Sequence, residues 1–212
     1  MFEHLLAALD AGHLDANERK FDKGDIVFHQ GDPGDSLHLV RQGMFAVRAS
    51  TPSGPILIVD ILVRGDVFGE FAVFSNRRRR TTAVTALSPG ATIAVGREQL
   101  RAAIGFRPEI AEELIATIIA KAESTTQRLA EMLHVPAELR VLRALLSIAT
   151  KEEGSSPVLL TQDELASFAA TTRPTANRVL RQEAERGTVE LSRGQVMVLD
   201  RHRLATRAGV DP

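Results

Sequence analysis

Between Pro108 and Pro136 the chain runs without a glycine or proline, EIAEELIATIIAKAESTTQRLAEMLHV. Proline suits the first turn of a helix and is excluded from its interior, so the two prolines bracket one long helix. At 1.5 Å per residue it would be roughly 35–40 Å long. Ala111, Ile115, Ile118, Ala122, Thr125, Leu129 and Met132 fall at alternating steps of three and four, the spacing of a coiled-coil seam. Such a stripe needs a partner, and the same helix of a second copy is the simplest one. Packing of the stripe on its own domain is the alternative, and a small domain would cover only part of it.

This helix divides two textures. Before it, short β-rich runs (FDKGDIVFHQ, SLHLVRQGMFAVRAS, ILIVDILVRGDVFG) alternate with turn signals such as GDPGD and TPSGP. Turns recur every 8–12 residues or so, as in a small barrel or sandwich. Gly24, Gly31, Gly34, Gly43, Gly54, Gly65, Gly69 and Gly90 lie between the runs, where they would supply turn conformations. After it, a helix ELRVLRALLSIATKEEG leads through GSSP and a short strand VLLT to two short helices. A hairpin TVELSRGQVMVL follows, turning at Ser192-Arg193-Gly194.

Absence of cysteine excludes disulfides, thiolate zinc sites, cysteine nucleophiles and cysteine-held iron–sulfur clusters. There is no P-loop, HExxH or nucleophile elbow, so no enzymatic activity is expected. His29, His38 and His134 are scattered and read as surface or core histidines rather than haem ligands. The N-terminus lacks a basic start and a signal-length apolar run, and charges break every later apolar run, so a cytoplasmic protein without membrane attachment is expected. The net charge of −1 means that any DNA binding must use a local basic patch. The chain has neither tryptophan nor tyrosine, which argues against a single-strand binder built on stacking aromatics.

Thr161-Gln162-Asp163-Glu164 has the capping-box pattern, with the threonine capping a backbone N–H and Glu164 reaching back. ELASF continues that helix and AATT makes a turn. Thr172 caps the next helix, with Pro174 in its first turn. Ala176, Val179, Leu180 and Ala184 are expected to face inward, leaving Arg173, Thr175, Asn177, Arg178 and Arg181 to solvent. Arginine pairs with guanine edges or phosphates and asparagine with adenine, so this outer face suits a major groove. A solvated helix that merely carries arginines is the alternative, and the hairpin behind it, placed as a wing, favours the DNA reading.

Nearly the whole chain resembles the CRP–FNR superfamily of bacterial transcription regulators, of the catabolite activator protein type. The resemblance implies an α+β architecture with three parts. These are a cyclic-nucleotide-binding, jelly-roll-like β-roll over residues 1–106, a dimerisation helix over 107–134 and a winged helix-turn-helix over 135–212. It implies a homodimer with Ile115, Ile118, Ala122, Thr125, Leu129 and Met132 in its seam. Its partners would be double-stranded DNA with two-fold related half-sites and RNA polymerase, its effector cAMP, and it would need no cofactor. In such proteins the first-turn arginine of the recognition helix corresponds to Arg173 and a second contacting arginine to Arg178; Thr161, Thr172, Thr175, Asn177 and Arg181 complete the expected DNA-facing set. Two departures stand out. Arg173-Pro174 replaces the family's Arg-Glu, removing a glutamate that would accept from cytosine. Ala170 stands where the turn often has glycine, so an altered turn geometry is expected.

The family's phosphate-binding cassette runs from Gly-Glu through a short helical turn to Arg-Ser or Arg-Thr. Here Gly69-Glu70 leads through FAVFSN to Arg80-Thr81 in matching register. By resemblance Glu70 accepts from a ribose hydroxyl, Arg80 pairs with the phosphate, Thr81 adds a donor and Gly69 admits the ligand. Arg77, Arg78 and Arg79 are read as a solvated turn that raises the local positive potential. Thr125 and Thr126 lie where catabolite-activator-like proteins place hydroxyls against the adenine amino group, one from each subunit, which points to cAMP. A family member gated by another effector or by none, and a cyclic-nucleotide-binding regulator acting through protein contacts alone, are the competing expectations.

Overall fold

The computed structural model describes residues 2–10, 16–50, 54, 56–151 and 157–210. The expected TPSGP turn and GSSP loop lie largely outside the described residues. The elements run α1 (Glu3–Asp10), β1 (Ala16–Phe21), β2 (Ile26–Phe28), β3 (Ser36–Gln42), β4 (Phe45–Ala49), β5 (Leu57–Leu62), β6 (Val67–Phe68), α2 (Glu70–Phe74), β7 (Ala83–Ala86), β8 (Gly90–Gly96), α3 (Arg97–Phe106) and α4 (Glu109–His134), then α5 (Ala137–Lys151), α6 (Gln162–Phe168), α7 (Arg173–Glu185), β9 (Val189–Ser192), β10 (Gln195–Val198) and α8 (Arg201–Ala208). Two compact units emerge, one from the described residues of 1–49 and 62–126, the other from those of 50–61 and 127–212; the division falls inside α4. No described helix is long and apolar enough to cross a membrane.

The first unit carries the β-roll. One antiparallel sheet is ordered β1-β8-β3-β6 and the other β2-β7-β4-β5. Gly24, Gly31, Gly43, Gly65 and Gly69 have φ between 84° and 95°, the left-handed region that glycine enters without steric cost. Gly34 and Gly90 are needed for closeness instead: a Cβ on Gly90 would stand 2.6 Å from Gln42 O. One apolar cluster joins Leu37, Leu39, Val67 and Val95 to Phe2 and Leu5 of α1, to Leu100 of α3 and to Ile110 and Leu114 of α4. A second holds Phe21, Phe45, Leu62, Phe68 and Val84 between the sheets. Each such side chain contributes about 1.5–3 kcal/mol by leaving water. Helices α1 and α3 were not foreseen, being short segments whose apolar spacing is clear only once the sheet they cover is known.

In α4 only Ile110 and Leu114 are buried. Further along, Ile115, Ile119, Leu129, Met132 and Leu133 are 45–72% exposed, which leaves the expected seam open on this chain. Ile118 is half-buried and Ala122 exposed.

The second unit is a helix-turn-helix with a wing. The capping box at Thr161 forms: Glu164 N donates to Thr161 Oγ1 (3.2 Å), and Thr161 N donates to Glu164 Oε2 (2.8 Å). Thr172 Oγ1 accepts from Thr175 N (3.4 Å), and Pro174 lies in the first turn of α7. Val189–Ser192 pairs antiparallel with Gln195–Val198, turning through Gly194 at φ 75°. The expected strand VLLT shrinks to a single bridge, Val158 with Val196, because Thr161 is already committed to the cap. Helix α8 was also missed, although Asp200 caps it through Arg203 N (2.9 Å) and Gly209 ends it at φ 64°; those two residues are its sequence signal.

The turn departs from expectation in the opposite sense to the one foreseen. Ala170 keeps the left-handed conformation, φ 50°, despite its Cβ. Arg140 explains how it is held: Nε donates to Ala169 O (3.1 Å), Nη2 to Ala170 O (2.8 Å) and Nη1 to Val135 O (2.7 Å).

Candidate functional site

The cassette residues converge on one place in the β-roll. Gly69, at φ 85°, precedes α2, and Glu70 opens that helix as a buried carboxylate. Arg80 arrives from the loop before β7 and is also buried. Its Nη1 donates to Ser36 O (2.8 Å) and Gly69 O (3.2 Å), its Nη2 donates to Ser36 Oγ (3.0 Å), and the guanidinium lies 4.1 Å over the Phe28 ring. Room for it is made by glycines. A Cβ on Gly69 would stand 2.5 Å from Arg80 Nη1, and one on Gly34 would stand 2.7 Å from Arg80 Nε. Burial pushes the Arg80 guanidinium below its ordinary value and Arg19 adds to this, while Asp35, Asp32 and Glu70 pull it back. An anion brought to the site would act in the same direction as those carboxylates.

Lys121 of α4 was not singled out by the sequence. Its Nζ donates to Glu70 Oε1 (2.9 Å) and to Val67 O (2.7 Å). That leaves Glu70 Oε2 and Arg80 Nε enclosed, with no hydrogen-bond partner among the described residues. One is an acceptor lacking a donor and the other a donor lacking an acceptor. Buried polar groups are costly when unpaired, so this arrangement is suited to a molecule that carries both a hydroxyl and an anionic oxygen.

Beneath Arg80 lies His38, also missed as a site residue. It is buried, stacked on Phe68 with ring centroids 4.9 Å apart; its Nδ1 is 3.1 Å from Thr92 Oγ1 and its Nε2 3.4 Å from Ser36 Oγ. Because Ser36 Oγ already accepts from Arg80, its own hydrogen is free for Nε2, which fits the neutral Nδ1-protonated ring. Burial first, and then the charges of Arg80 and Arg19, push the imidazole down to about 3.

The remaining expected residues lie outside this cluster. Thr81 is exposed. Thr125 and Thr126 are exposed on α4, their hydroxyls donating to Lys121 O and Ala122 O, both at 2.8 Å. Arg77, Arg78 and Arg79 are exposed, with Arg79 Nη1 donating to Gly31 O (2.8 Å).

On α7, Arg173, Arg178 and Arg181 are exposed and Thr175 is half-buried. Arg173 Nη1 stands 3.3 Å from Asp163 Oδ2, and Arg178 Nη2 donates to Glu138 Oε1 at 2.7 Å. The hydrogen bond from Arg178 holds the Glu138 carboxyl below its usual range. Asn177, expected in solvent, is half-buried with Oδ1 enclosed and unpartnered. Ala184, expected inside, is half-buried, and Glu183 takes the innermost place. There Glu183 Oε1 accepts from Arg186 Nη1 (2.9 Å) and Arg207 Nε (2.8 Å), and Oε2 accepts from Thr188 Oγ1 (2.8 Å). Three donors make burial of a carboxylate tolerable. They come from the wing and α8 as well as α7, which helical periodicity does not register.

Residues 18–105 match the cyclic nucleotide-binding domain family, and residues 139–207 match the Crp-like helix-turn-helix domain family. The chain is 32% identical over 194 residues to a CRP-like cAMP-activated global transcriptional regulator of Mycobacterium tuberculosis, covering 89% of this chain and 86% of that protein. It is 32% identical over 181 residues to the cyclic AMP receptor protein of Thermus thermophilus, covering 85% and 82%. In fold it is similar to FixK2 from Bradyrhizobium japonicum, at 20% identity and a TM-score of 0.80 over 94% of this chain and 98% of that one. With both halves matched and relatives of this identity spanning most of its length, the chain belongs to the CRP–FNR family of transcription regulators, carrying a cyclic-nucleotide-binding domain and a helix-turn-helix DNA-binding domain.

Proposed function

We propose that this protein is a homodimeric, sequence-specific DNA-binding regulator whose affinity for its operator is set by cAMP held at Glu70 and Arg80. The observation that carries the reading is the pair of enclosed, unpartnered atoms Glu70 Oε2 and Arg80 Nε. A cyclic nucleotide answers both, its ribose 2′-hydroxyl donating to the carboxylate and its phosphate accepting from the guanidinium. The names of the relatives point to cAMP among cyclic nucleotides, and the Thr125 and Thr126 hydroxyls offer acceptors for an adenine amino group. The open apolar stripe of α4 supports pairing with the same stripe of a second copy. Lys121 ties α4 to Glu70, so a ligand that engages Glu70 also acts on the helix that forms the seam. Coupling to DNA is limited by the ligand's preference for the DNA-competent state, typically about 1–3 kcal/mol. Two recognition helices would then meet half-sites about 34 Å apart.

Calorimetric titration with cAMP, using cGMP and AMP as comparisons, tests the effector. Micromolar binding of cAMP with weaker cGMP is the expected result. Absence of heat and of any thermal shift with all three nucleotides would overturn cAMP control and leave the DNA-binding regulator standing.

Arg173 is expected to read a base edge once it leaves Asp163. Arg173→Ala should cost about 1–3 kcal/mol at the preferred operator and much less on other sequences. Comparison of affinities over an operator library measures this, and an equal loss on every sequence would reassign Arg173 to a phosphate.

A further inference from the structure

Three successive main-chain carbonyls at the end of α6 each accept from a guanidinium. Arg140 takes Ala169 O and Ala170 O, as described above, and Arg128 Nη2 donates to Phe168 O at 2.6 Å. Carbonyls at a helix C-terminus lack intrahelical donors and lie at the negative end of its dipole, so cations are favoured there. Arg128, however, comes from the long helix α4 and has other commitments. Its guanidinium lies 4.0 Å over the Phe168 ring, its Nη1 donates to Val59 O, and its Nη2 also reaches Ile58 O at 3.3 Å. Side chains of α6 and α5 meet the same stretch of β5. Ile58 N donates to Ser167 Oγ (3.0 Å), Ser167 Oγ donates to Ile56 O (3.3 Å), and Lys151 Nζ donates to Ile61 O (2.8 Å).

Arg128 therefore stands where α4, β5 and the end of α6 meet, and it spends its donors on neutral backbone carbonyls. Only a planar fork that also stacks on an aromatic face serves all of these at once. A shift or rotation of α4 moves that fork against Phe168 O and the Phe168 ring, and the turn to α7 follows directly, through Ala169 to Thr172. The face of α7 carrying Arg173, Arg178 and Arg181 is exposed while the contact is made. We infer that Arg128 is a positioning residue for DNA recognition, which sets the turn and hence the presentation of α7 from the register of α4. The inference requires that α7 reads DNA and is independent of which effector acts.

The test is binding of Arg128→Ala, Arg128→Lys and Phe168→Leu to a duplex selected from a random pool by the wild-type protein, over a range of salt concentrations. Affinity is measured on the active fraction and thermal midpoints are recorded alongside. Arg128→Ala should bind about tenfold more weakly, within the range of coupling between linked elements. The slope of log K against log salt should stay unchanged, because Arg128 neutralises no phosphate. Arg128→Lys and Phe168→Leu should show smaller losses, again without a change of slope, and they carry the test if the alanine variant does not fold. Unchanged affinity in the folded variants would overturn the proposal. So would a slope lowered by about 0.9, the signature of one lost phosphate contact. A fall in active fraction with normal affinity in what remains would also overturn it, showing a role in stability alone.

Discussion

Arg80→Ala should reduce cAMP affinity by at least about a hundredfold, since charge-assisted hydrogen bonds contribute about 1.5–3 kcal/mol each when sheltered and each 1.4 kcal/mol is a factor of ten. The geometry makes the residue hard to replace. Nη1 and Nη2 are committed to Ser36 and Gly69, the ring of Phe28 supports one face, and Nε is left facing no partner. Its own protein contacts thus orient the guanidinium before any ligand arrives. Arg80→Lys should recover less than a tenth of the loss, because an ammonium keeps the charge but has neither the fork nor the flat face. Calorimetry on both variants, with urea unfolding to check that Ser36 O and Gly69 O tolerate losing their donor, makes the measurement. Wild-type affinity in Arg80→Ala would place the phosphate elsewhere.

Mild acid should weaken the β-roll through one buried imidazole. His38 titrates at about 3 in the folded protein against 6.5 when exposed. The unfolded chain therefore binds a proton that the folded one refuses, and stability falls as pH falls. The contribution of His38 is complete above pH 6.5 and declines by about 1.4 kcal/mol per unit down to about 3. Between pH 7 and 4.5 that amounts to about 2–3 kcal/mol, a large share of the stability of a typical domain. His38→Gln, which keeps a polar group beside Thr92 and Ser36, should flatten the profile in this window. Urea midpoints at half-unit pH steps for the two proteins give the comparison. Carboxylates that titrate below pH 5 affect both equally, so parallel profiles would show that His38 is not held neutral.

What could be read from the sequence was what local chemistry determines. Pro108 and Pro136 bracket α4 because proline is barred from helix interiors. Thr161 and Thr172 mark the starts of α6 and α7 because a hydroxyl satisfies N–H groups that a helix leaves free. Gly69, Glu70 and Arg80 could be paired because the cassette is one short segment folding back on itself. What stayed hidden arrives from far along the chain. Lys121 reaches Glu70 across 51 residues, Arg80 reaches Ser36 across 44, and Arg128 reaches Val59 across 69. Such partners leave no periodic trace, since the helix or strand that delivers them is specified by its apolar face alone. Asn177 and Glu183 were misplaced for a related reason: helical spacing predicts which positions face inward, and a polar residue is then assumed to avoid them. Glu183 is tolerated by three donors, two of them beyond α7 itself.

Ala170 has a bearing on the history of this turn. An alanine in the left-handed region costs about 1 kcal/mol relative to glycine, and here the two bonds from Arg140 hold the backbone in that conformation. The substitution is acceptable while Arg140 stands. Once made, it raises the cost of losing Arg140, because an unsupported turn would then carry both the strain and two bare carbonyls. The two sites are therefore no longer free to drift separately. A lineage that placed alanine at 170 has narrowed its own paths of change at 140, and a return to glycine is the step that would reopen them.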